Sequence, residues 1–386
     1  MVHRTIQEKI EQIAKKMPVI TITGPRQSGK TTLAKHIFPH HTYINLESPK
    51  TRDFATIDPQ AFFDSLPNRL ILDEVQRAPH LLSYIQVIVD QSRQNGQFIL
   101  TGSENLLLSQ KVNQSLAGRT YIATLLPLSL EELYVLPVRL DNYMPYLYKG
   151  FYPKLYAEDI PSTDWLSAYV QTYVERDIRQ LINIKNLKQF QTFLSLCAGH
   201  VGQIVNHTAL SKAVGIHNTT IKEWLSTLEA TYIAFTLQPY YKNFKKRLIK
   251  SPKLYLHDTG LACMLLDIPD PRSLAWHALR GGLFENFVIV ELLKRYLNRG
   301  LRPRFYFWRD NNGVEVDLLI ERGGSLLAIE IKSTQTLTSF PTSNLKKFTQ
   351  LMKDHVVEPY IVYGGEQNFH VQGIQVLSWK SLDVLV

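Results

Sequence analysis

Residues 24–31 read GPRQSGKT, a glycine, four intervening residues and then Gly-Lys-Thr. The stretch follows the apolar run PVITIT and precedes a helical pattern that begins at Lys30, so it joins a strand to a helix. Gly24 and Gly29 allow the backbone to curl until its N–H groups face an anion, and the positive end of the following helix strengthens that field. The stretch therefore predicts a phosphate-binding loop at the start of an α/β domain.

The residue types in this loop favour a nucleoside triphosphate, with Mg²⁺, as the ligand. Lys30 supplies a point charge for the β and γ phosphates, and Thr31 supplies a hydroxyl ligand for Mg²⁺. The residues predicted to contact ATP are Gly24, Pro25, Arg26, Gln27, Ser28, Gly29, Lys30, Thr31 and Thr32. A plain glycine turn is the alternative interpretation of the same letters.

Two adjacent carboxylates, Asp73 and Glu74, end the apolar run RLILDE. Open α/β sheets bind their ligands at the carboxyl ends of strands, which is where these side chains fall. Asp73 is predicted to hold Mg²⁺, directly or through water, and Glu74 to orient or deprotonate the attacking water. Adjacent carboxylates at a strand end can also be solvated or cap the next helix.

Short apolar runs alternate with helical patterns up to about residue 135. The strand-like runs include YINL, RLILDE and QFILTGS, and HLLSYIQVIVDQS has a helical pattern. This alternation predicts an α/β fold in which a P-loop domain has a three-layer parallel sheet.

Residues 17–135 resemble the AAA-type ATPase domain, with Walker A at 24–31 and Walker B at 70–74. The resemblance implies that Ser103, at the end of FILTGS, reads the γ phosphate, although a serine in this position is also common in turns. The whole chain also resembles a widespread group of bacterial ATP-binding proteins whose C-terminal domain has no assigned function. The stretches that carry this second resemblance are LPLSLEEL, YVERDI and LHDTGLA.

The AAA resemblance also implies an arginine that stabilises transition-state charge. Arg119, in SLAGRT, is the candidate, acting in its own subunit or across an interface, which raises a homo-oligomer as one option. A salt-bridged surface arginine is the alternative for this residue. Arg176, in YVERD, is a weaker candidate for the same role.

Basic residues are concentrated in one part of the chain. The segment from Lys185 to Lys253 holds ten basic and two acidic residues, whereas the net charge of the whole chain is +9. This segment is therefore the predicted contact for a polyanion. The N-terminal run TIQEKIEQIAKK is charged and amphipathic rather than a signal peptide, and no run reaches membrane-spanning length. A cytoplasmic protein with no membrane partner is expected.

The basic segment has the pattern of helix, helix, turn, helix and hairpin, and it resembles a winged helix. Residues 218–229 take the recognition-helix position, and Lys212, Thr220 and Lys222 are predicted to face a DNA groove. The predicted wing mixes cationic and aromatic side chains, namely Tyr240, Tyr241, Lys242, Phe244, Lys245, Lys246, Arg247 and Lys250. This mixture suits phosphate contact and base stacking, so DNA is the predicted partner. A solvated basic face on a domain that packs against the ATPase is the alternative.

A second acidic site is predicted around residues 326–333, LLAIEIKS, where Glu330 and Lys332 leave the same face of an apolar strand. If the glycines at 323–324 form a two-residue turn, Asp317 lies opposite Glu330. Two carboxylates about 5 Å apart repel by about 3 kcal/mol at an effective dielectric near 20. A divalent cation held by both carboxylates would offset this repulsion.

A third carboxylate is predicted to reach the same place from a helix. In GLFENFVIVELLKRY, Glu285 shares an apolar stripe with Val288, Ile289 and Leu292, so its side chain is expected to point inward. Lys332 would then lie near the reacting phosphate, where an ammonium positions water or stabilises developing negative charge.

Glu285, Asp317, Glu330 and Lys332 together resemble the PD-(D/E)XK nuclease pattern. The resemblance implies a restriction-endonuclease-like α/β fold, a second Mg²⁺ or a Mn²⁺ held by the three acids, and phosphodiester hydrolysis. In the alternative interpretation, Lys332 pairs with Glu315 in an ordinary salt bridge and backbone donors hold Asp317.

These patterns divide the chain into four predicted parts. They are an AAA-type P-loop ATPase domain at 1–135, a helical connector at 136–184, a winged-helix-like domain at 185–254 and a PD-(D/E)XK nuclease-like domain at 255–386. The predicted function is Mg²⁺-dependent ATP hydrolysis coupled to DNA binding and metal-dependent phosphodiester cleavage. The alternative is an ATP-dependent regulatory switch whose nuclease-like domain is inactive and binds DNA or protein partners.

Overall fold

The computed structural model describes most of the chain and divides it into two units. The described residues are 2–103, 115–136, 141–174, 186–240, 251–310, 313–337 and 342–386. The first unit comprises Met1–Leu128, Ala230–Tyr232 and Leu297–Leu301. The second unit comprises Ser129–Glu229, Ile233–Tyr296 and Arg302–Val386.

The first unit is built on a five-stranded parallel sheet. Its strands are β1 (Val19–Thr23), β2 (Thr42–Asn45), β3 (Leu70–Asp73), β4 (Phe98–Gly102) and β5 (Thr120–Thr124). They lie in the order β2-β3-β4-β1-β5, and every neighbouring pair is parallel. This arrangement confirms the parallel sheet predicted for this segment.

Helices cover both faces of this sheet. They are α1 (Gln7–Ala14), α2 (Lys30–Ile37), α3 (Pro49–Ile57), α4 (Pro59–Asp64) and α5 (Leu81–Ser92). Ile10 of α1 and Leu33 of α2 share one apolar cluster with Ile20 of β1. Leu81 of α5 belongs to a second cluster with Val19 of β1. Since side chains alternate between the faces of a strand, the two clusters lie on opposite faces and give the three layers that the sequence predicts.

The helices of the second unit precede its sheet strands in the chain and also lie between them. Its N-terminal helices are α6 (Leu130–Tyr134), α7 (Met144–Lys149), α8 (Lys154–Ala157) and α9 (Ser162–Tyr169). Those that follow are α10 (Leu187–Gly199), α11 (His207–Val214), α12 (Asn218–Ala230), α13 (Thr259–Leu265), α14 (Pro271–Leu274), α15 (Arg280–Asn298) and α16 (Thr342–Leu351). Short 3-10 turns lie at Val75–Arg77 and Leu382–Leu385, and a π-helical turn lies at Val170–Val174.

A mixed eight-stranded sheet organises the second unit. Its strands are β6 (Ala234–Pro239), β7 (Lys253–Leu256), β8 (Phe305–Arg309), β9 (Glu315–Arg322), β10 (Ser325–Lys332), β11 (Val356–Tyr363), β12 (Phe369–Val371) and β13 (Ile374–Ser378). The order is β12-β13-β11-β10-β9-β8-β6-β7. Strands β8, β9 and β10 are antiparallel neighbours, and β11 runs parallel to β10.

The β9–β10 hairpin has the predicted register. Gly323 and Gly324 have φ angles of 56° and 93°, the left-handed conformation that a two-residue hairpin turn requires at both positions. Ser325 pairs with Arg322, and the same register continues along the hairpin to Leu318. The next position along each strand brings Asp317 and Glu330 to the same end of the hairpin, as the turn predicts.

The hairpin assigned to the wing is part of this larger sheet. Strand β6 pairs with β7 on one side and with β8 on the other, so the sheet continues across the predicted boundary at residue 254. Tyr240, expected to stack on a base, is only 5% exposed and lies in the apolar cluster with Tyr306. That expectation is wrong, because a buried ring cannot reach a nucleobase. The division into four domains stays a prediction.

A helix must reach a certain length and apolarity to span a membrane. Across the described ranges, the helices are all too short or too polar to cross a lipid bilayer.

Candidate functional sites

The loop between β1 and α2 has the geometry of an anion cradle. Gly24 has a φ of 144°, and a Cβ atom there would collide with the carbonyl oxygen of Leu125. Gly29 has a φ of 95° and immediately precedes the first turn of α2. Glycine is therefore required at both positions, and the free N–H groups of the helix begin at the end of the loop.

Lys30 is buried inside the loop, with 5% exposure. Its ammonium donates hydrogen bonds to the carbonyl oxygens of Gly24, at 3.0 Å, and Pro25, at 2.8 Å. Burial lowers the pKa of Lys30 to about 8, and the carboxylates of Glu74 and Asp73 partly offset that effect. A bound phosphate would also raise the pKa of Lys30, because a nearby anion favours the charged ammonium.

Asp73, at the end of β3, accepts hydrogen bonds from three hydroxyl groups and is 6% exposed. Its Oδ1 atom accepts from the hydroxyl of Thr31 at 2.8 Å and from the hydroxyl of Thr101. Its Oδ2 atom accepts from the hydroxyl of Tyr43 at 2.8 Å. Thr31 and Asp73, the two predicted Mg²⁺ ligands of this domain, are therefore in direct contact. Both Thr101 and Tyr43 were missed by sequence reasoning.

Glu74 lies beside Asp73 in a left-handed conformation, with a φ of 57°. Its Oε2 atom accepts from the hydroxyl of Ser103 at 3.1 Å and from the side-chain amide of Gln76. Gln76 also donates to Ser103 at 3.0 Å. The structure thus brings Ser103 into contact with Glu74, and it adds Gln76 as a third member of the group.

Arg4 is a buried support for the loop that the sequence did not indicate. Its guanidinium donates to the carbonyl oxygens of Ser28, at 2.8 Å, and Leu126, at 2.7 Å. These two bonds tie the loop to the segment that follows β5. Arg26, a predicted ATP contact, pairs with Glu47 at 2.9 Å on the surface.

Arg119 lies at the amino end of β5, at the opposite end of the strands from the phosphate loop of its own subunit. It directly precedes β5, whose first residue pairs with Val19, whereas the phosphate loop follows Thr23 at the other end of β1. Val19 and Thr23 are four residue steps apart along β1, which corresponds to about 13 Å. Arg119 instead makes two hydrogen bonds to the carboxylate of Asp90, at 2.7 and 2.8 Å. The expectation for the same subunit is therefore wrong; the role across an interface stays a prediction, and Arg176 lies outside the described residues.

The second site gathers side chains from α15, β9 and β10. The Lys332 ammonium lies 2.6 Å from Glu330 Oε1 and 3.8 Å from Asp317 Oδ2. The backbone N–H of Ile331 donates to the same Oδ2 atom at 2.7 Å. Asp317 and Glu330 are 8% and 4% exposed, so this cluster is shielded from bulk water.

Glu285 faces this cluster from the helix and is held by two donors from β7. Its Oε1 atom accepts from the ammonium of Lys253 at 2.9 Å and from the hydroxyl of Tyr255 at 2.5 Å. Lys253 also pairs with Glu315. Glu315, which the alternative interpretation assigned to Lys332, is thus a partner of Lys253 instead.

The three acids are close enough to perturb one another. Burial, reinforced by the nearby Asp317 carboxylate, raises the pKa of both Glu285 and Glu330 to about 7. Burial also raises the pKa of Asp317, while Lys332 and Lys253 act in the opposite direction. These shifts place the three carboxylates in one another's electrostatic field, and the prediction that they converge on one cation stays a prediction.

Each of these carboxylates has one oxygen that carries all its hydrogen bonds to the described residues. Both donors to Glu285 reach Oε1, the donor to Asp317 reaches Oδ2, and the donor to Glu330 reaches Oε1. The Oε2 atom of Glu330 is buried and has no hydrogen-bond partner among the described residues. The same described part of the chain holds no group of three His, Cys, Asp or Glu side chains in metal-binding geometry, and the carboxylates are paired with lysines.

Lys253 and Tyr255 could have been found in the sequence. They stand two apart in KLYL, so they leave the same face of a strand, which is the signal that singled out Glu330 and Lys332. Lys253 is one of the ten basic residues of the segment predicted to contact a polyanion, but at 2% exposure it does not contribute to such a surface.

The helical part of the basic segment keeps its predicted pattern. Helices α11 and α12 are separated by Gly215, which has a φ of 75° and ends α11. Lys212 and Lys222 are exposed and Thr220 is half-buried. The predicted wing cations at 242–250 lie outside the described residues.

Family models match three successive segments of the chain. An AAA domain matches residues 16–134, a domain of unknown function (DUF8612) matches 140–272, and another domain of unknown function (DUF4143) matches 280–382.

Curated relatives share the length of the chain but have no described function. An uncharacterized protein of Mycobacterium tuberculosis is 29% identical over 395 residues, which cover 99% of this chain and 86% of the relative. An uncharacterized protein of Haemophilus influenzae is 24% identical over 393 residues, covering 92% of each chain. Among solved structures, the Walker-type ATPase of Pyrococcus abyssi aligns with 13% identity and a TM-score of 0.45, over 67% of this chain and 94% of that chain.

The family matches and the phosphate loop agree on the first part of the chain. Residues 16–134 form an AAA-type P-loop ATPase domain, and the chain carries a DUF4143 segment toward its C-terminus.

Proposed function

We propose that the N-terminal domain binds ATP with Mg²⁺ and hydrolyses it. The observation that carries this proposal is the contact between Thr31 and Asp73, which puts a hydroxyl and a carboxylate oxygen 2.8 Å apart beside the phosphate loop. Mg²⁺ prefers such hard oxygen ligands and, when bound, would neutralise charge on the β and γ phosphates. Lys30 adds a second positive charge inside the loop.

Glu74 is the proposed base for the attacking water. A general base must be held in position, and Ser103 and Gln76 both donate to the Oε2 atom of Glu74. Its other oxygen would accept from the water molecule, and the proposed role of Ser103 is to sense the γ phosphate through the same network. Because Ser103 and Glu74 share a hydrogen bond, hydrolysis would change the contacts of both residues.

For the C-terminal part, we propose DNA binding and metal-dependent phosphodiester cleavage. The order of elements supports it: helix α15, the antiparallel strands β8, β9 and β10, helix α16, and then β11 parallel to β10. The donor set supports a divalent cation, because the three carboxylates supply hard oxygen ligands and the buried Oε2 atom of Glu330 lacks a hydrogen-bond partner in the described structure. Since the described side chains are not in metal-binding geometry, cation binding would require them to move. Glu285, Asp317 and Glu330 would hold the cation, which when bound polarises a phosphate oxygen.

Lys332 has its own part in this proposal. The Lys332 side chain is 35% exposed, and its ammonium reaches Glu330 and Asp317. Once a cation neutralises those carboxylates, the ammonium is free to turn toward a phosphate and stabilise its developing negative charge.

A regulatory switch is the second candidate, and one observation favours it. Lys332 pairs with Glu330 and Lys253 pairs with Glu285, so the cluster is charge-compensated as it stands. A site of this kind could be structural, with ATP binding or slow hydrolysis acting on a DNA or protein partner.

One experiment separates the two candidates. Purified full-length protein is incubated with Mg²⁺, ATP and duplex DNA, single-stranded DNA or RNA, beside the variants Lys30→Ala and Asp317→Ala. Cleavage that is lost in Asp317→Ala supports the nuclease, and ATP turnover lost in Lys30→Ala without any cleavage supports the switch. No turnover and no cleavage by the wild type would contradict both.

A further inference from the structure

Lys253 is a buried cation whose position the proposed chemistry does not by itself explain. Its side chain is 3% exposed, and its ammonium lies between the carboxylates of Glu285, at 2.9 Å, and Glu315. Burying an ammonium costs several kcal/mol unless partners compensate it, so both contacts are needed to keep the charge there. A lysine in this setting is fixed in place by its carboxylate partners.

The two donors from β7 act on one atom of Glu285. Lys253 and Tyr255 both donate to Oε1, at 2.9 and 2.5 Å, and no donor to Oε2 is found within the described ranges. A carboxylate with one oxygen fixed by two hydrogen bonds cannot rotate freely about its terminal torsion. The orientation of the Glu285 carboxylate is therefore set from β7.

We infer that Lys253 is a positioning residue, which with Tyr255 clamps Oε1 of Glu285 so that Oε2 is presented to a divalent cation shared with Asp317 and Glu330. The inference rests on the cation site of the proposed function. It adds a strand that the four-residue nuclease pattern does not contain, and it gives Lys253 a role that does not involve contact with nucleic acid.

The opposite role for Lys253 makes an opposite prediction. If the ammonium were only a counter-ion that neutralises Glu285, it would compete with a divalent cation, and removing it would strengthen cation binding. If it positions Glu285, removing it weakens binding, as loss of an outer partner of a metal ligand typically costs about 10- to 100-fold in affinity.

The test measures Mn²⁺ binding to the full-length protein by calorimetry, without nucleotide or nucleic acid. The variants are Lys253→Met, Lys253→Arg, Tyr255→Phe and the double variant Lys253→Met with Glu315→Gln, which removes one positive and one negative charge together. Arg309→Met is the matched control, because Arg309 lies 3.5 Å from Glu315 in the same network without touching Glu285. Asp317→Ala identifies the heat that belongs to the C-terminal site and separates it from binding at the phosphate loop.

Lys253→Met and the double variant are expected to bind Mn²⁺ at the C-terminal site about tenfold or more weakly. Tyr255→Phe should weaken it less, Lys253→Arg should recover most of the affinity, and Arg309→Met should match the wild type. If the wild type binds Mn²⁺ at this site and both Lys253→Met and the double variant bind it equally well or more tightly, the inference is overturned while the proposed cation site stands. Absence of any Asp317-dependent Mn²⁺ binding in the wild type would overturn the proposed cation site together with it. If Lys253→Met does not fold, the comparison of Tyr255→Phe and Lys253→Arg with the wild type decides.

Discussion

The hydroxyl of Thr31 donates a 2.8 Å hydrogen bond to Oδ1 of Asp73, joining the first turn of α2 to the end of β3. Thr101 from β4 donates to the same oxygen, so one carboxylate atom connects helix α2 with the neighbouring strands β3 and β4. This contact brings the two predicted Mg²⁺ ligands together at the carboxyl edge of the sheet, where α/β folds bind their ligands.

Replacing Glu74 with Gln should separate ATP binding from hydrolysis. The amide keeps the size of the side chain and one acceptor oxygen but cannot accept a proton, so the turnover number should fall about 10²- to 10⁴-fold. ATP affinity should change little, since Glu74 is not part of the loop that holds the phosphates. Phosphate release and binding of a fluorescent ATP analogue measure the two quantities. Equal turnover in Glu74→Gln and wild type would rule out Glu74 as the base.

Arg119→Ala should leave ATP turnover unchanged in dilute protein. The side chain is paired with Asp90 at the amino end of β5, away from the phosphate loop of its own subunit. Turnover measured over a range of protein concentrations tests this expectation, with Asp90→Ala as the matched control for loss of the ion pair. A rate reduced only in Arg119→Ala and only at high concentration would point to a role across an interface. A loss at every concentration would contradict the placement described here.

The stability of the C-terminal unit should depend on pH in the absence of divalent cations. Glu330 has a pKa raised to about 7 by burial and by Asp317, so the folded protein binds a proton that the unfolded chain has already released. Stability therefore falls as the pH rises from about 4.5 to 7, by at most about 3 kcal/mol per group of this kind.

Thermal melting in EDTA between pH 5 and pH 8 measures this dependence. Glu330→Gln should show a smaller decline than the wild type, because its amide does not titrate. Ser325→Ala, at the first position of β10 in the same hairpin, is the control and should decline like the wild type, because it removes no titrating group. Identical declines in Glu330→Gln and wild type would show that Glu330 is not a source of the effect.

DNA binding, if it uses the basic segment, should weaken steeply with salt. Contacts with phosphates release counterions, so the affinity falls as a power of the salt concentration. Lys212→Ala and Lys222→Ala, at exposed positions of α11 and α12, should each reduce the affinity and the salt slope. Fluorescence anisotropy with a labelled duplex at 50 to 300 mM salt checks this; an affinity that does not vary over that range would contradict it.

Local patterns made two parts of the structure predictable. The phosphate loop lies within eight letters and its chemistry depends on glycine positions, so Gly24 and Lys30 were identified from the sequence alone. The hairpin register follows from the two glycines of its turn and the period of two along a strand, which brought Asp317 and Glu330 together.

Other members of the sites depend on which strands become neighbours, and no local pattern encodes that choice. Thr101 reaches Asp73 because β4 lies next to β3 in the sheet, and Tyr43 does so because β2 lies on the other side. Lys253 was counted in the basic segment predicted to contact a polyanion, whereas pairing of its strand within the second sheet buries it against Glu285. Burial of a charged residue is decided by its partners, which come from distant parts of the chain.

The claim that Glu285, Asp317 and Glu330 gather one cation is tested most directly by a crystal structure of the protein soaked in Mn²⁺. An anomalous difference peak is predicted among the three carboxylates, bonded to Oε2 of Glu330 and with the Lys332 ammonium moved away from Glu330. A map with no peak there, at a Mn²⁺ concentration that does label the phosphate loop, and with Lys332 still bonded to Glu330, would contradict the claim.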